Sequence, residues 1–160
     1  MIIPLVGILA GATLVFIIGL FLPKEMVFEK EAVLHQPIEK VFQVVTDYED
    51  QTIWRTDVKA IKIIDGKTWT EIPQKGRPIT FRTKRKIENK LFEIEIIDPK
   101  SFNGYWIGTF DPRPDQSTLV NFKEVIRIDN PFFRTLSFIF VDLDKTMETY
   151  LTNLKTHLGE

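Results

Sequence analysis

Apolar and polar residues follow three different patterns along this chain, and each change of pattern marks a change of predicted structure. From Met1 to Pro23 there is no charged side chain, and only Pro4, Thr13 and three glycines interrupt the apolar run. At 1.5 Å per helical residue, a run of about 22 residues reaches across a hydrocarbon core. Backbone groups in lipid must be bonded within the segment, so the run reads as a helix, with Pro4 near its start where a missing N–H does least harm. A cleaved signal peptide would carry a basic leader and a small-residue cleavage site. Met1-Ile2-Ile3 lacks the first and Phe21-Leu22-Pro23-Lys24 the second. Residues 1–23 therefore read as a retained transmembrane anchor and residues 24–160 as one domain. Lys24, Lys30 and Lys40 follow the anchor and nothing basic precedes it, which places the domain of a single-pass cell-membrane protein on the cytoplasmic side.

After Lys24 the pattern alternates, with Val27, Glu29, Glu31 and Val33 set against Phe28, Lys30, Ala32 and Leu34, the signature of a strand. Pro37 then opens a helix with Ile38, Val41, Phe42 and Val45 on its apolar face, and a short helix or turn carries Tyr48 to Trp54. Strands are predicted at 58–64, 68–72, 78–88, 90–97, 102–110 and 117–128, separated by turn signals such as Asp65-Gly66 and Asp98-Pro99. Charge puts one hairpin in register. A two-residue turn at Glu88-Asn89 sets Lys84 opposite Glu93 and Arg82 opposite Glu95, and leaves Phe81, Thr83 and Arg85 on the other, inward face.

In the third pattern, apolar residues recur at helical spacing. Asn130 caps and Pro131 begins a predicted helix that runs to about Leu158, with Leu136, Phe140, Leu143, Met147, Tyr150, Leu151, Leu154 and Leu158 at intervals of three and four. Its first third, with Phe132, Phe133, Leu136, Phe138, Ile139, Phe140 and Val141, is apolar nearly all round and must be covered by protein, ligand or lipid.

Composition narrows the function. A formal net charge of −1 lacks the basic excess of a nucleic-acid binder. Thirteen phenylalanines and three tryptophans supply much aromatic surface to bury. No cysteine is present, and His35 and His157 have no metal-ligand spacing, so no metal and no cofactor is expected. Neither a phosphate loop nor a nucleophile signature appears, and no catalytic residue is assigned. Strand alternation turns Arg85 and Glu124 toward the interior. There they must pair or meet polar groups of a ligand, because an isolated buried charge is costly.

The segment Ala32-Val33-Leu34-His35-Gln36-Pro37-Ile38-Glu39-Lys40-Val41-Phe42 resembles the strand-then-P-x-x-x-V-F opening of the START-like superfamily, also called SRPBCC. Trp54, Gly104-Tyr105-Trp106-Ile107-Gly108 and Thr118-Leu119-Val120-Asn121-Phe122 fit its later elements. The anchor junction Phe21-Leu22-Pro23-Lys24 is similar to membrane-anchored members of the polyketide cyclase/dehydrase-like kind. Gln51-Thr52-Ile53-Trp54-Arg55-Thr56 departs from the tryptophan-serine-proline run of soluble members. The resemblance implies an α+β helix-grip fold, in which a curved antiparallel sheet of about seven strands wraps a long C-terminal helix and leaves an elongated cavity. The expected function is a membrane-tethered binding or transfer module for an apolar small molecule or lipid, more a carrier than an enzyme. Trp69, Phe81, Arg85, Ile94, Trp106, Phe122, Glu124, Phe140, Leu143 and Met147 are the expected lining. The alternatives are a cyclase or aromatase-type enzyme using the same cavity, or a ligand-free partner of a membrane protein.

Overall fold

The computed structural model describes the chain from Ile2 to Glu160, with the side chains of residues 1–6 and 8 outside that description. The elements in chain order are α1 (Ile2–Phe21), β1 (Glu25–Leu34), α2 (Ile38–Thr46), α3 (Gln51–Trp54), β2 (Val58–Asp65), β3 (Thr68–Pro73), β4 (Ile79–Ile87), β5 (Leu91–Asp98), β6 (Asn103–Pro112), β7 (Thr118–Arg127), α4 (Pro131–Phe140) and α5 (Leu143–Leu158). The seven strands form one antiparallel sheet in the order β1-β7-β6-β5-β4-β3-β2. Sequential hairpins build β2 to β7, while α2 and α3 bridge the two edges of the sheet. Among the described residues no helix is long and apolar enough to cross a membrane. The expected span at 1–23 falls partly on residues outside that description.

The core forms where the sheet meets α2 and α5. Ile38, Val41, Phe42 and Val45 of α2 are all buried, as their spacing predicts. They meet Phe92, Phe110, Val120 and Phe122 of the sheet and Met147, Leu151, Leu154 and Leu158 of α5. The Gln36 side chain donates to the Leu158 carbonyl, and Thr118 Oγ1 donates to the Gln36 carbonyl. These bonds tie the end of α5 to the β1–α2 junction and the start of β7.

Two expectations are corrected. The predicted helix from 130 to 158 is two helices, because Asp142 caps a new one: its side chain accepts from Lys145 N at 3.0 Å, while Val141 is extended. A side-chain acceptor competes with the helical backbone at such a position. The second correction concerns the β4–β5 hairpin. Arg82 faces Glu95 and Lys84 reaches Glu93 at 3.2 Å, as charge indicated. A register shift between Thr83 and Arg85, with a three-residue connection and Asn89 at φ 52°, brings Arg85 opposite Glu93 as well. One extra residue reverses the facing of everything after it in the strand, so Arg85 is exposed and lies 3.4 Å from Glu93 instead of pointing inward.

The two pieces of the helical region take different partners. While α5 crosses the sheet, α4 packs antiparallel to α1, with Thr135 Oγ1 donating to Val15 O at 2.8 Å and Pro131 against Gly19. Any β-carbon at Gly19 would run into the Pro131 carbonyl. Arg134 is only 3% exposed and donates to the carbonyls of Gly19, Leu22, Ile128 and Asp129, closing the C-terminal end of α1 onto the end of the sheet. Replacing Arg134 with Met should therefore lower unfolding stability by roughly 3 kcal/mol, since several carbonyls lose a charged donor together. Denaturant titration of the full chain in mild detergent measures this, and an unchanged midpoint would contradict the role assigned to Arg134.

Candidate functional site

Between the concave face of the sheet and the start of α5 lies a cavity of about 110 Å³. Its apolar wall is formed by Val45, Trp69, Phe81, Phe92, Ile94, Trp106 and Met147. The aromatic rings brace one another. Trp69 stacks on Tyr48 with centroids 4.0 Å apart and on Phe81 at 5.8 Å, and Trp106 lies 4.9 Å from Phe122. Gly108 makes room for Trp106, because a β-carbon there would fall 2.5 Å from the indole.

The polar part of the lining is drawn from four elements: Gln51 and Arg55 from α3 and its cap, with Asp57 just beyond; Glu71 from β3; Glu124 from β7; and Thr146 and Tyr150 from α5. Arg55 is at its centre. The single turn of α3 ends there, Arg55 N donates to Gln51 O, and the backbone becomes extended, which sends the side chain inward. The guanidinium bonds Asp57 at 2.6 and 3.2 Å, Glu71 at 3.0 Å and the Gln51 side-chain Oε1 at 2.8 Å, and lies 5.3 Å from the centre of the Tyr150 ring. Gln51 in turn donates to Val45 O, which ties the cluster to α2, and Trp69 Nε1 donates to Glu71. Burial alone would weaken the Arg55 charge, but Glu71 and Asp57 outweigh it and the guanidinium is held firmly protonated.

Glu124 differs from the other two carboxyls. It faces Trp106 and Phe28 across its neighbouring strands and has no hydrogen-bond partner among the described residues. Burial pushes its pKa from 4.5 up to about 7; Arg55 opposes the rise and Glu71 adds to it. The Tyr150 hydroxyl is also pushed up by burial, against the pull of Arg55, and so stays a neutral donor. The polar end of the cavity thus holds one guanidinium shared by two carboxylates, plus an uncommitted carboxyl and phenol.

Of the residues expected from sequence, Trp69, Phe81, Ile94, Trp106, Glu124 and Met147 line this cavity. Phe122 is fully buried behind Trp106, in the core rather than on the wall. The bulge carries Arg85 away, and the helix break does the same to Phe140, which is 78% exposed on α4, and leaves Leu143 half-buried outside the lining. Sequence reasoning missed Gln51, Arg55, Asp57, Glu71 and Tyr150. The alternation that turned Glu124 inward also puts Glu71 on the face of Trp69, and Tyr150 is in the apolar repeat of α5 beside Met147. Arg55 had no such signal, because its direction depends on how α3 ends.

Two outcomes follow. Arg55→Met should cost about 3 to 5 kcal/mol, since it strands two carboxylates in an apolar interior, and denaturant titration reads the loss. Glu124 binds its proton more tightly folded than unfolded. Stability from this group is therefore fully present below pH 4.5 and is lost as pH rises from there through about 7. Unfolding midpoints of wild type and Glu124→Gln should agree on the acid side and separate as pH rises toward 7, where the wild type alone loses stability; parallel profiles would refute the assignment.

No protein family defined by sequence matches the chain, and no curated protein matches it. Solved structures do. A START superfamily protein from Mycobacterium smegmatis superposes with a TM-score of 0.68 at 14% identity, covering 83% of this chain and 97% of that one. A Thermus thermophilus protein gives 0.66 at 17% identity, over 83% and 97% of the two chains. Truncated norcoclaurine synthase from Thalictrum flavum gives 0.69 at 9% identity, over 84% and 93%. At such identities the likeness is one of architecture. The chain therefore has the helix-grip fold of START-like proteins, a sheet curved around a C-terminal helix.

Proposed function

We propose that this protein is a binding or transfer module that takes an uncharged, largely apolar small molecule into the cavity between sheet and α5, and that residues 1–23 tether the 24–160 domain to the cytoplasmic face of the cell membrane. The supporting observation is the cavity itself: aromatic walls that end at a carboxyl and a phenol with no partner of their own. Sites of this kind bind by apolar burial and orient by a few polar groups.

Charge defines the ligand's polar end. Arg55 is already shared by Asp57 and Glu71, so no positive charge remains for an anionic head group. A carbonyl or hydroxyl can instead accept from protonated Glu124 or from Tyr150. Size limits the buried part: a cavity of about 110 Å³ holds a group on the scale of a single ring, and a longer lipid or isoprenoid must continue past Thr146 at the rim. The tether reading is supported by the sequence of residues 1–23, an apolar run with no charged side chain.

One observation favours a second reading, an enzyme. A carboxyl whose burial pushes its pKa up to about 7 beside an apolar cavity suits proton transfer. Native mass spectrometry of the full chain, released from mild detergent, with extraction of bound molecules, should find a stoichiometric neutral apolar ligand. Ile94→Trp should weaken its binding at least about tenfold by filling the cavity. Two variants separate the readings: Glu124→Leu, which removes the donor, should weaken binding in a carrier, whereas Glu124→Gln, which keeps a donor but cannot transfer a proton, should retain affinity and abolish turnover in an enzyme. A clean apo mass with no uptake from added lipid would defeat both.

A further inference from the structure

Burial on α4 is inverted with respect to side-chain chemistry. Phe133, Phe138, Ile139, Phe140 and Val141 are 50% to 78% exposed, while Arg134, the single charged residue of the helix, is 3% exposed. A helix facing water shows the opposite arrangement, with its charge outward and its aromatic residues covered. Arg134 is hidden at no cost in unmet donors, since its guanidinium bonds four backbone carbonyls, two of them near the C-terminal end of α1. Thr135 likewise donates to backbone, at Val15 and Pro131. Arg134 and Thr135 are therefore turned inward onto α1 or bonded locally, as a nonaqueous surrounding requires.

The apolar face does not stop at α4. On the described part of α1, Leu14, Phe16, Ile17, Ile18, Leu20 and Phe21 are 43% to 86% exposed, so the antiparallel pair presents apolar surface from both helices. We infer that α4 is a second membrane element, an interfacial helix whose Phe138–Val141 face enters the lipid beside α1. This rests on the tether reading and goes beyond it. At ten residues, roughly 15 Å, α4 is too short to span, and the exposed Asp142, Asp144 and Lys145 that follow must stay in water. It therefore lies along the boundary between head groups and acyl chains, as amphipathic helices do. Because α5 and the cavity rim at Thr146 follow within six residues of Phe140, this placement holds the cavity mouth beside the bilayer.

The chain contains no cysteine, so single cysteines can be labelled cleanly. Phe138→Cys, Leu14→Cys and the control Lys62→Cys, each in the full chain, would carry an environment-sensitive fluorophore in phosphatidylcholine–phosphatidylglycerol vesicles with or without brominated acyl chains. The inference expects a blue shift and bromolipid quenching at positions 138 and 14, with neither at 62. Quenching at 14 alone would overturn the α4 inference and leave the tether standing. A blue shift at 138 without quenching would mean that protein, such as a second copy, covers this face, and would also overturn it. No response at either position would overturn both readings.

Discussion

The site depends on neutralising one buried positive charge. A guanidinium inside an aromatic-walled cavity is untenable alone, and its neutralisation by Asp57 and Glu71, with Gln51 as a further acceptor, fixes the end of α3, the approach to β2 and the middle of β3 relative to α2. The same arrangement determines the state of Glu124. With Arg55 already engaged, Glu124 receives too little positive potential to offset its burial and keeps its proton to about pH 7. A cavity with several acidic groups thus offers a ligand neutral donors rather than charge.

A second arginine serves a different purpose by similar means. Arg134 satisfies carbonyls at the end of α1 and at the exit of β7, where the helical and sheet parts of the chain meet. Helix ends leave carbonyls without intrahelical partners, and a cation placed there also complements the helix dipole. Both arginines act as buried connectors between elements distant in sequence, one facing a cavity and the other an interhelical seam.

The division of the C-terminal helical region gives these two sites their independence. Had the helix continued through Asp142, Phe140 and Leu143 would have lain on the line that leads to Met147 and the cavity. The break instead assigns α5 to the sheet and α4 to α1. Cavity and apolar hairpin therefore adjoin without sharing residues.

The sequence by itself determined the order and approximate extent of the strands, the buried face of α2, the Arg82–Glu95 and Lys84–Glu93 pairs, and most of the cavity's aromatic wall. Each of these follows from local periodicity or direct cross-strand complementarity, which are short-range properties. Tertiary structure alone decided which charged side chains point inward. One bulged residue turned Arg85 out, one extended residue after a single helical turn sent Arg55 in, and a capping aspartate redirected Phe140 to the outside. Such small backbone irregularities leave almost no trace in hydrophobic pattern, yet each reverses the facing of a side chain. The segment 51–56, which departs from the tryptophan-serine-proline run expected from the resemblance, supplies Gln51 and Arg55 to the cavity. Around α1 and α4 the run of apolar residues was plain from the start, but only the packed pair of helices showed its single arginine turned inward and its phenylalanines left outside.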